Sequence, residues 1–221
     1  MSFDPGSRSP LSTRDLARFP SASLFDKLAR AVCTADCLPR KELYESWEVA
    51  RRVRRRFRGG RVVDLACGHG LTGWIMLILD GRSPGAIGVD RRIPGSAQRL
   101  HAALAQAWPG VAARIRLREG DIAEEPLTAE DVVVATHACG PLTDSVLARA
   151  AAARARVAVL PCCHDARASD QAGLGGWLPV GLAIDVARAS RLERAGYRIH
   201  TQTIPEAITP ENRLLLGEPL A

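Results

Sequence analysis

Val62-Val63-Asp64-Leu65-Ala66-Cys67-Gly68-His69-Gly70-Leu71-Thr72-Gly73 decides how this chain is read. A short apolar run, long enough for a buried strand, breaks into a glycine turn and reopens as a helix. Gly68, Gly70 and Gly73 satisfy G-x-G-x-x-G, and Asp90 ends the next apolar run, Ala86-Ile87-Gly88-Val89-Asp90, twenty residues beyond Gly70. Glycines let backbone N–H groups approach a ligand closely, and an acidic residue on the following strand can accept from ribose hydroxyls. The pattern predicts a nucleotide site, with Cys67, Gly68, Gly70, Asp90 and its neighbour Arg91 against the ligand.

Outward from this stretch the chain alternates. Strands are expected over 61–66, 86–90, 113–118, 131–136 and 157–161, with helices over about 71–80, 95–107, 142–154 and 181–195. Such alternation gives right-handed βαβ units and a parallel sheet covered on both faces. Tyr197 to Thr203 and Asn212 to Leu216 have only a Pro-containing loop between them, so they should pair antiparallel. Upstream, Leu24, Leu28 and Val32, then Leu43, Trp47, Ala50 and Val53, recur at helical spacing, with Pro39 dividing two helices. Residues 1–20, rich in Ser, Pro and Arg, read as a mobile leader. There is no internal repeat.

The 221 residues fit one α/β domain. The longest apolar run, Trp74 to Leu79, is too short to cross a membrane, and the polar N-terminus does not read as a signal peptide. Six cysteines in such a chain argue for reduced thiols, so a cytoplasmic protein with no membrane partner is expected. The net charge is +6, almost all from arginine, with Lys27 and Lys41 the two lysines. The cluster Arg51-Arg52-Val53-Arg54-Arg55-Arg56-Phe57-Arg58 could meet a phosphate backbone or be the solvated face of a helix.

Three features choose among nucleotides. Asp64 lies four residues before Gly68, Gly120-Asp121-Ile122 follows the third strand, and the terminal hairpin is foreign to a standard dinucleotide domain. The run D-x-A-x-G-x-G resembles the first motif of class I S-adenosylmethionine (SAM) methyltransferases, with Ala66 where glycine is more usual. That resemblance implies that Asp64 helps hold the methionine portion of SAM and that Asp121, beside Ile122, accepts from the adenine amino group. It also implies an α/β fold: a Rossmann-like seven-stranded, mostly parallel sheet with an antiparallel C-terminal hairpin, helices on both faces and a helical N-terminal cap. The expected division is 1–58 for leader and cap and 59–221 for the SAM-binding domain.

Two more strand ends carry chemistry. The fourth strand stops at His137-Ala138-Cys139-Gly140-Pro141-Leu142-Thr143-Asp144, and the fifth at Pro161-Cys162-Cys163-His164-Asp165. Ligands bind beyond the carboxyl ends of neighbouring strands in such a sheet. Cys67, His69, His137, Cys139, Cys162, Cys163 and His164 should therefore crowd the methyl-transfer centre. A Cys-Gly near the fourth strand, a Cys-Cys-His after the fifth and Thr209-Pro210-Glu211-Asn212-Arg213 before the last resemble the methyltransferase branch that includes eukaryotic tRNA 2′-O-methyltransferases of the acceptor stem. That resemblance spans roughly Arg61 to Leu216 and implies SAM as cofactor and tRNA or another RNA as acceptor. The zinc-binding modules that precede the catalytic domain in those enzymes have no counterpart here.

For the Cys/His cluster four readings stand side by side. His137 or His164, with His164 the first choice, could act as general base, since imidazole titrates near neutrality. Mixed thiolate and imidazole ligands suit Zn²⁺, although the spacing is not that of a finger and no metal is expected. A thiolate of Cys139, Cys162 or Cys163 could act covalently, or the cysteines could simply pack beside the cofactor. Cys33 and Cys37 read as packing residues of the cap. The expected function is SAM-dependent methyl transfer to RNA, with a small molecule or protein side chain as alternative acceptor. A non-catalytic nucleotide-binding protein or an NAD-dependent oxidoreductase remains as the rival of another class.

Overall fold

The computed structural model describes residues 3–220. Its β-branched runs form β1 (Val62–Leu65), β2 (Ala86–Asp90), β3 (Ile115–Glu119), β4 (Val132–Ala135) and β5 (Arg156–Val159), all parallel. With β6 (Tyr197–Thr203) and β7 (Arg213–Pro219) they make one sheet in the order β3-β2-β1-β4-β5-β7-β6. β7 is antiparallel to both β5 and β6. It outruns the expected Leu216 because β5 pairs its backbone as far as Gly217 and β6 as far as Pro219. This is the Rossmann-like, mostly parallel sheet with a C-terminal hairpin that the alternation predicts.

Register aligns the working edge. Leu65 lies beside Val89, and Asp64 beside Gly88 and Val134, so the chain leaves β1, β2 and β4 at one edge. Strand alternation divides the core in two. Val62, Val132, Val134, Ala158 and Leu216 face a layer with Trp74, Ile75 and Met76 of α3 (Leu71–Leu79) and Leu100 and Leu104 of α4 (Ala97–Ala107). Val63, Leu65, Val133, Val157 and Val159 face Val146, Leu147 and Ala150 of α6 (Pro141–Ala152) and Leu192 of α7 (Val180–Arg194). A single turn, α5 (Pro109–Ala112), precedes β3.

The cap consists of α1 (Leu24–Ala35) and α2 (Arg40–Arg56). Ser23 caps α1 by accepting from the Asp26 N–H at 3.1 Å. Pro39 gives α2 no such side chain, and here the N-terminal segment departs from the expected mobile leader. The Arg40 and Lys41 N–H groups, orphans of the first helical turn, donate to the carbonyls of Ser9 (3.1 Å) and Ser7 (3.0 Å). Leu11 is fully buried, and Phe3 and Phe19 join the rings of Phe25, Tyr44 and Trp47. Two residues of the segment read as a mobile leader, Ser7 and Ser9, thus cap α2.

The arginine cluster also needs correcting. Arg54 is buried and donates to the carbonyls of Met76, Phe57 and Gly59 and to Ser83 Oγ, with Asp80 3.5 Å away. Arg51 and Arg52 pair with Glu48, and Arg56 with Glu218. Only Arg55 and Arg58 of the run are exposed without an ion-pair partner among the described residues. The cluster lies at the C-terminal end of α2, which leads into the start of β1, at the opposite end of the sheet from the glycine turn. Among the described residues, no helix is long and apolar enough to cross a membrane.

Candidate active site

The chain leaves β1 through three residues with positive φ: Ala66 (58°), Gly68 (54°) and Gly70 (74°). Gly70 caps α3 from the left-handed region, and a Cβ there would lie 2.6 Å from Leu117 Cδ2. At Gly68 an added Cβ would meet nothing within 4 Å, so the space over the turn is open. Ala66 holds its conformation with a Cβ, at the position where glycine is more usual. Gly73 has only ordinary contacts and no positive φ, so its place in the motif is not sterically forced.

Asp64 sits buried beneath the turn, and its Oδ2 accepts from the Gly73 N–H at 3.1 Å. Burial pushes its carboxyl up to about 7, against the pull of that hydrogen bond, and Asp90 adds to the rise. Asp90, at the end of β2, accepts from the Gly68 N–H at 2.9 Å and the Arg92 N–H at 3.3 Å, which clamps the turn to the next strand. Asp121 caps the turn after β3 by accepting from the Ala123 N–H at 2.9 Å. That bond, then the Arg91 guanidinium 3.4 Å away, keep its carboxyl below the ordinary range. Ile122 behind it is buried, and Arg91 is exposed. An open, glycine-floored cradle with carboxylates at the ends of β2 and β3 fits a nucleoside with free ribose hydroxyls.

Cys67 departs from its expected place among the thiols. Its Sγ packs toward β2, where a Cβ on Gly88 would lie 2.9 Å from it. Burial and the two aspartates hold it firmly as the thiol. His69 is tethered through Nε2 to Ser96 Oγ at 2.9 Å, yet stays close enough to contribute to the lowered pKa of His137.

Beyond β4 and β5 the structure brings four predicted residues together. The Sγ atoms of Cys139, Cys162 and Cys163 lie within 4.8 Å of one another, and His137 lines the same cavity as Cys162 and Cys163. This cavity, about 240 Å³, is closed by Arg8, Pro39, Lys41, Glu42 and Glu45 from the cap. Burial, with smaller contributions from Lys41 and His69, depresses His137 to about 4, so its imidazole is neutral at physiological pH. Its ring nitrogens make no hydrogen bond among the described residues. Burial lifts Glu42 to about 7, with Glu45 adding to the rise, and Lys41 pairs with Glu45 at 3.4 Å.

His164 lies apart from that cavity. Its Nε2 is 2.8 Å from Asp185 Oδ1 and its Nδ1 is 3.2 Å from Glu211 Oε2, while Arg213 binds both carboxylates. With Nε2 hydrogen-bonded to Asp185, Glu211 beside Nδ1 and the side chain 6% exposed, it is shielded from a substrate in that cavity. Buried Arg188 continues the network, reaching Asp144 and the Gly140 carbonyl at 2.8 Å each. Sequence reasoning missed Asp185, Arg188, Lys41, Glu42 and Glu45, because they come from helices remote in the chain and match no motif. A larger cavity of about 530 Å³ lies between α7 and the hairpin, lined by Leu182, Val186, Leu214 and Leu215. Neither the glycine turn nor the three thiols contribute to its lining.

Comparison with known proteins gives this geometry a family. Among solved structures the chain is similar to the Bacillus subtilis tRNA methyltransferase TrmK (15% identity, TM-score 0.54, 78% of this chain and 66% of that one). It is also similar to an O-methyltransferase family protein from Burkholderia thailandensis (17%, 0.54, 97% and 65%). Fibrillarin in its complex with Nop5p is a third (12%, 0.53, 80% and 84%). At these identities the likeness is one of fold, and the chain spans just under two thirds of the length of the first and second. No curated protein matches the sequence significantly. A family model described as "Methyltransferase domain" matches residues 41–169, more than half of the chain, from the start of the cap helix to the thiol-bearing loop. The chain belongs to this methyltransferase-domain family.

Proposed function

We propose that this protein transfers a methyl group from SAM to a small polar acceptor held between α2 and the ends of β4 and β5. The observation that carries the reading is the cavity of about 240 Å³ in which His137, Cys162 and Cys163 face Lys41, Glu42 and Glu45. Bound SAM supplies an electrophilic methyl on a sulfonium. The chain's own work is to position the acceptor, exclude water and remove the proton that the acceptor loses. Asp90 and the Gly68 turn would hold the nucleoside, with Asp121 at the adenine end. His137, neutral and free of hydrogen bonds within the chain, is the base in this reading, and His164 positions the thiol-bearing loop through Asp185 and Glu211.

Size and charge favour a small acceptor over RNA. The cavity falls below the range of about 300–1,000 Å³ of drug-sized ligand sites. Its rim carries both signs, Arg8 and Lys41 beside Glu42 and Glu45, and so lacks the run of unopposed basic side chains that a polyanion site presents. The arginine cluster that spoke for RNA is largely paired within the fold and lies toward the other end of α2, its members roughly 9–22 Å along the helix from the cavity residues.

Calorimetric titration with SAM, S-adenosylhomocysteine and NAD, followed by methyl-label tracing in metabolite and RNA pools, tests the proposal. Tight S-adenosylhomocysteine binding, no NAD binding, and label in small molecules at a rate indifferent to salt are expected. Label in tRNA with steep salt dependence would assign the acceptor to RNA instead. NAD binding without S-adenosylhomocysteine binding would return the chain to the oxidoreductases.

A further inference from the structure

Cys139, Cys162 and Cys163 come from two loops 23 residues apart in sequence, yet their sulfurs converge. Packing does not account for them. Cys139 and Cys163 are exposed, and only Cys162 is half-buried. A thiol that serves as a small core residue is buried, as Cys33 is in the cap. Nor does a redox pair account for them. Cys139 and Cys162, 3.0 Å apart, would suffice for a disulfide, and a third thiol beside them would only open a route to exchange.

The backbone that carries the three thiols is braced on every side. The Gly140 N–H donates to the Cys163 carbonyl at 3.2 Å, joining the two loops directly. Gly140, next to Cys139, has φ of 54° and gives its carbonyl to buried Arg188. His164, next to Cys163, is locked by Asp185 and Glu211. Held loops of this kind pre-position ligand atoms, as partners behind the ligands do in metal sites. The sulfur spacing also suits one ion. A tetrahedral zinc with Zn–S of about 2.3 Å sets its sulfurs about 3.8 Å apart, inside the 4.8 Å within which all three already lie. Cys139 and Cys162 need only part by roughly 0.8 Å, the scale of a side-chain rotation.

We propose that Cys139, Cys162 and Cys163 form a tris-thiolate site for a soft divalent cation, Zn²⁺ first among them. The fourth position opens toward the cavity that Cys162 and Cys163 share with His137 and Lys41. Binding converts three thiols and Zn²⁺ into an anionic tris-thiolate complex and releases three protons, with no change of oxidation state. Three protein ligands with an open fourth position are the arrangement of a reactive zinc and not of a closed structural one. An acceptor or a water entering from the cavity would complete the coordination.

The test is metal content and affinity, read without turnover so that it stands or falls separately from the methyl-transfer proposal. Protein purified untagged, under reducing and oxygen-free conditions, should carry one zinc per chain by elemental analysis. Loading with Co²⁺ should give sulfur-to-cobalt charge transfer with tetrahedral d–d bands. Cys139→Ser, Cys162→Ser and Cys163→Ser should each weaken zinc binding by more than about a hundredfold in chelator competition, while Cys37→Ser keeps it. Melting and S-adenosylhomocysteine binding on every variant separate lost ligands from lost fold. The site is refuted if the reduced wild type, reloaded with excess zinc and desalted, holds none. It is equally refuted if zinc leaves the thiols as reactive to a disulfide reagent as before, or if Cys37→Ser lowers the metal content as much as the three variants do.

Discussion

The two ends of the catalytic edge are built in different ways. The end over β1, β2 and β3 is a backbone structure. A turn of positive-φ residues is clamped by Asp90 to Gly68 and by Asp64 to Gly73, and each contact spans no more than 22 residues of sequence. The end over β4 and β5 is a side-chain structure assembled from α2, α7 and two loops. Its network runs from Glu211 through His164, Asp185 and Arg188 to Asp144. A backbone cradle suits a cosubstrate common to many methyltransferases, whereas a side-chain pocket can change its acceptor residue by residue. If the division holds, damage to one end should leave the other working.

The largest expected effect is at His137. His137→Gln removes the proposed base and should lower kcat by about 10²–10⁴-fold, with the acceptor KM changing far less and S-adenosylhomocysteine binding preserved. Between pH 8 and about 5 His137 should contribute no acid limb to the wild-type rate, because it stays neutral down to about 4; a limb near 7 that Glu42→Gln removes belongs to Glu42. The same depression makes stability pH-dependent. Above the ordinary histidine value both states are neutral, and as pH falls from about 6.5 toward 4 the unfolded chain takes the proton first. The His137 contribution should therefore drain on acidification by up to about 1.4 kcal/mol per pH unit, against an opposite gain from Asp64 and Glu42, whose raised carboxyls take protons in the folded state first. The drain is read as the difference between wild type and His137→Gln. A rate limb near pH 6.5, abolished in His164→Asn but not in His137→Gln, would move the base to His164.

Next comes Arg188→Leu. The guanidinium is 1% exposed and serves Asp144, Asp185 and the Gly140 carbonyl. Its loss takes one partner from each of two part-buried carboxylates, leaving Asp144 with Arg191 and Asp185 with His164 and Arg213, and unpairs the Gly140 carbonyl. It should cost about 1–3 kcal/mol in urea unfolding. Under conditions where the variant is folded, S-adenosylhomocysteine affinity should equal that of the wild type. A parallel loss of affinity would show that the two ends are one cooperative unit.

The same division explains what could be read in advance. The alternation of strands and helices, the hairpin and the turn from Asp64 to Gly73 follow from local periodicity and glycine chemistry, which is where one-dimensional patterns carry most information. The convergence of Cys139 with Cys162 and Cys163 was legible because both loops leave neighbouring strands. The partners of His164 were not. A histidine beside two cysteines looks reactive in sequence, and only the fold shows its ring bonded to Asp185 with Glu211 beside it. Arg54 misled for a similar reason. Nothing in a run of arginines reveals that one of them turns inward to satisfy three carbonyls and a hydroxyl.

At the glycine end, Asp90→Ala removes the carboxylate that clamps Gly68 and that faces the open cradle. Losing hydrogen bonds to a charged group costs about 1.5–3 kcal/mol, so S-adenosylhomocysteine should bind roughly 10–100-fold more weakly by calorimetry. Zinc content should not change, which checks the independence of the two ends from the other side. An unaltered S-adenosylhomocysteine affinity would mean that Asp90 serves only the turn.

The smallest effect is expected at Ala66. Its φ of 58° is left-handed, a conformation that costs an L-residue about 1–2 kcal/mol. Ala66→Gly removes that strain but gives the unfolded chain more freedom, which takes back about 0.5–1 kcal/mol. The two terms nearly cancel, so the variant should be stabilised by less than about 1 kcal/mol. Ligand affinity should not move, since the open space over the turn lies at Gly68. A marked gain in S-adenosylhomocysteine affinity on Ala66→Gly would show that the alanine methyl crowds the ligand. In that case the cradle is lined at Ala66 by a side chain and not by backbone alone.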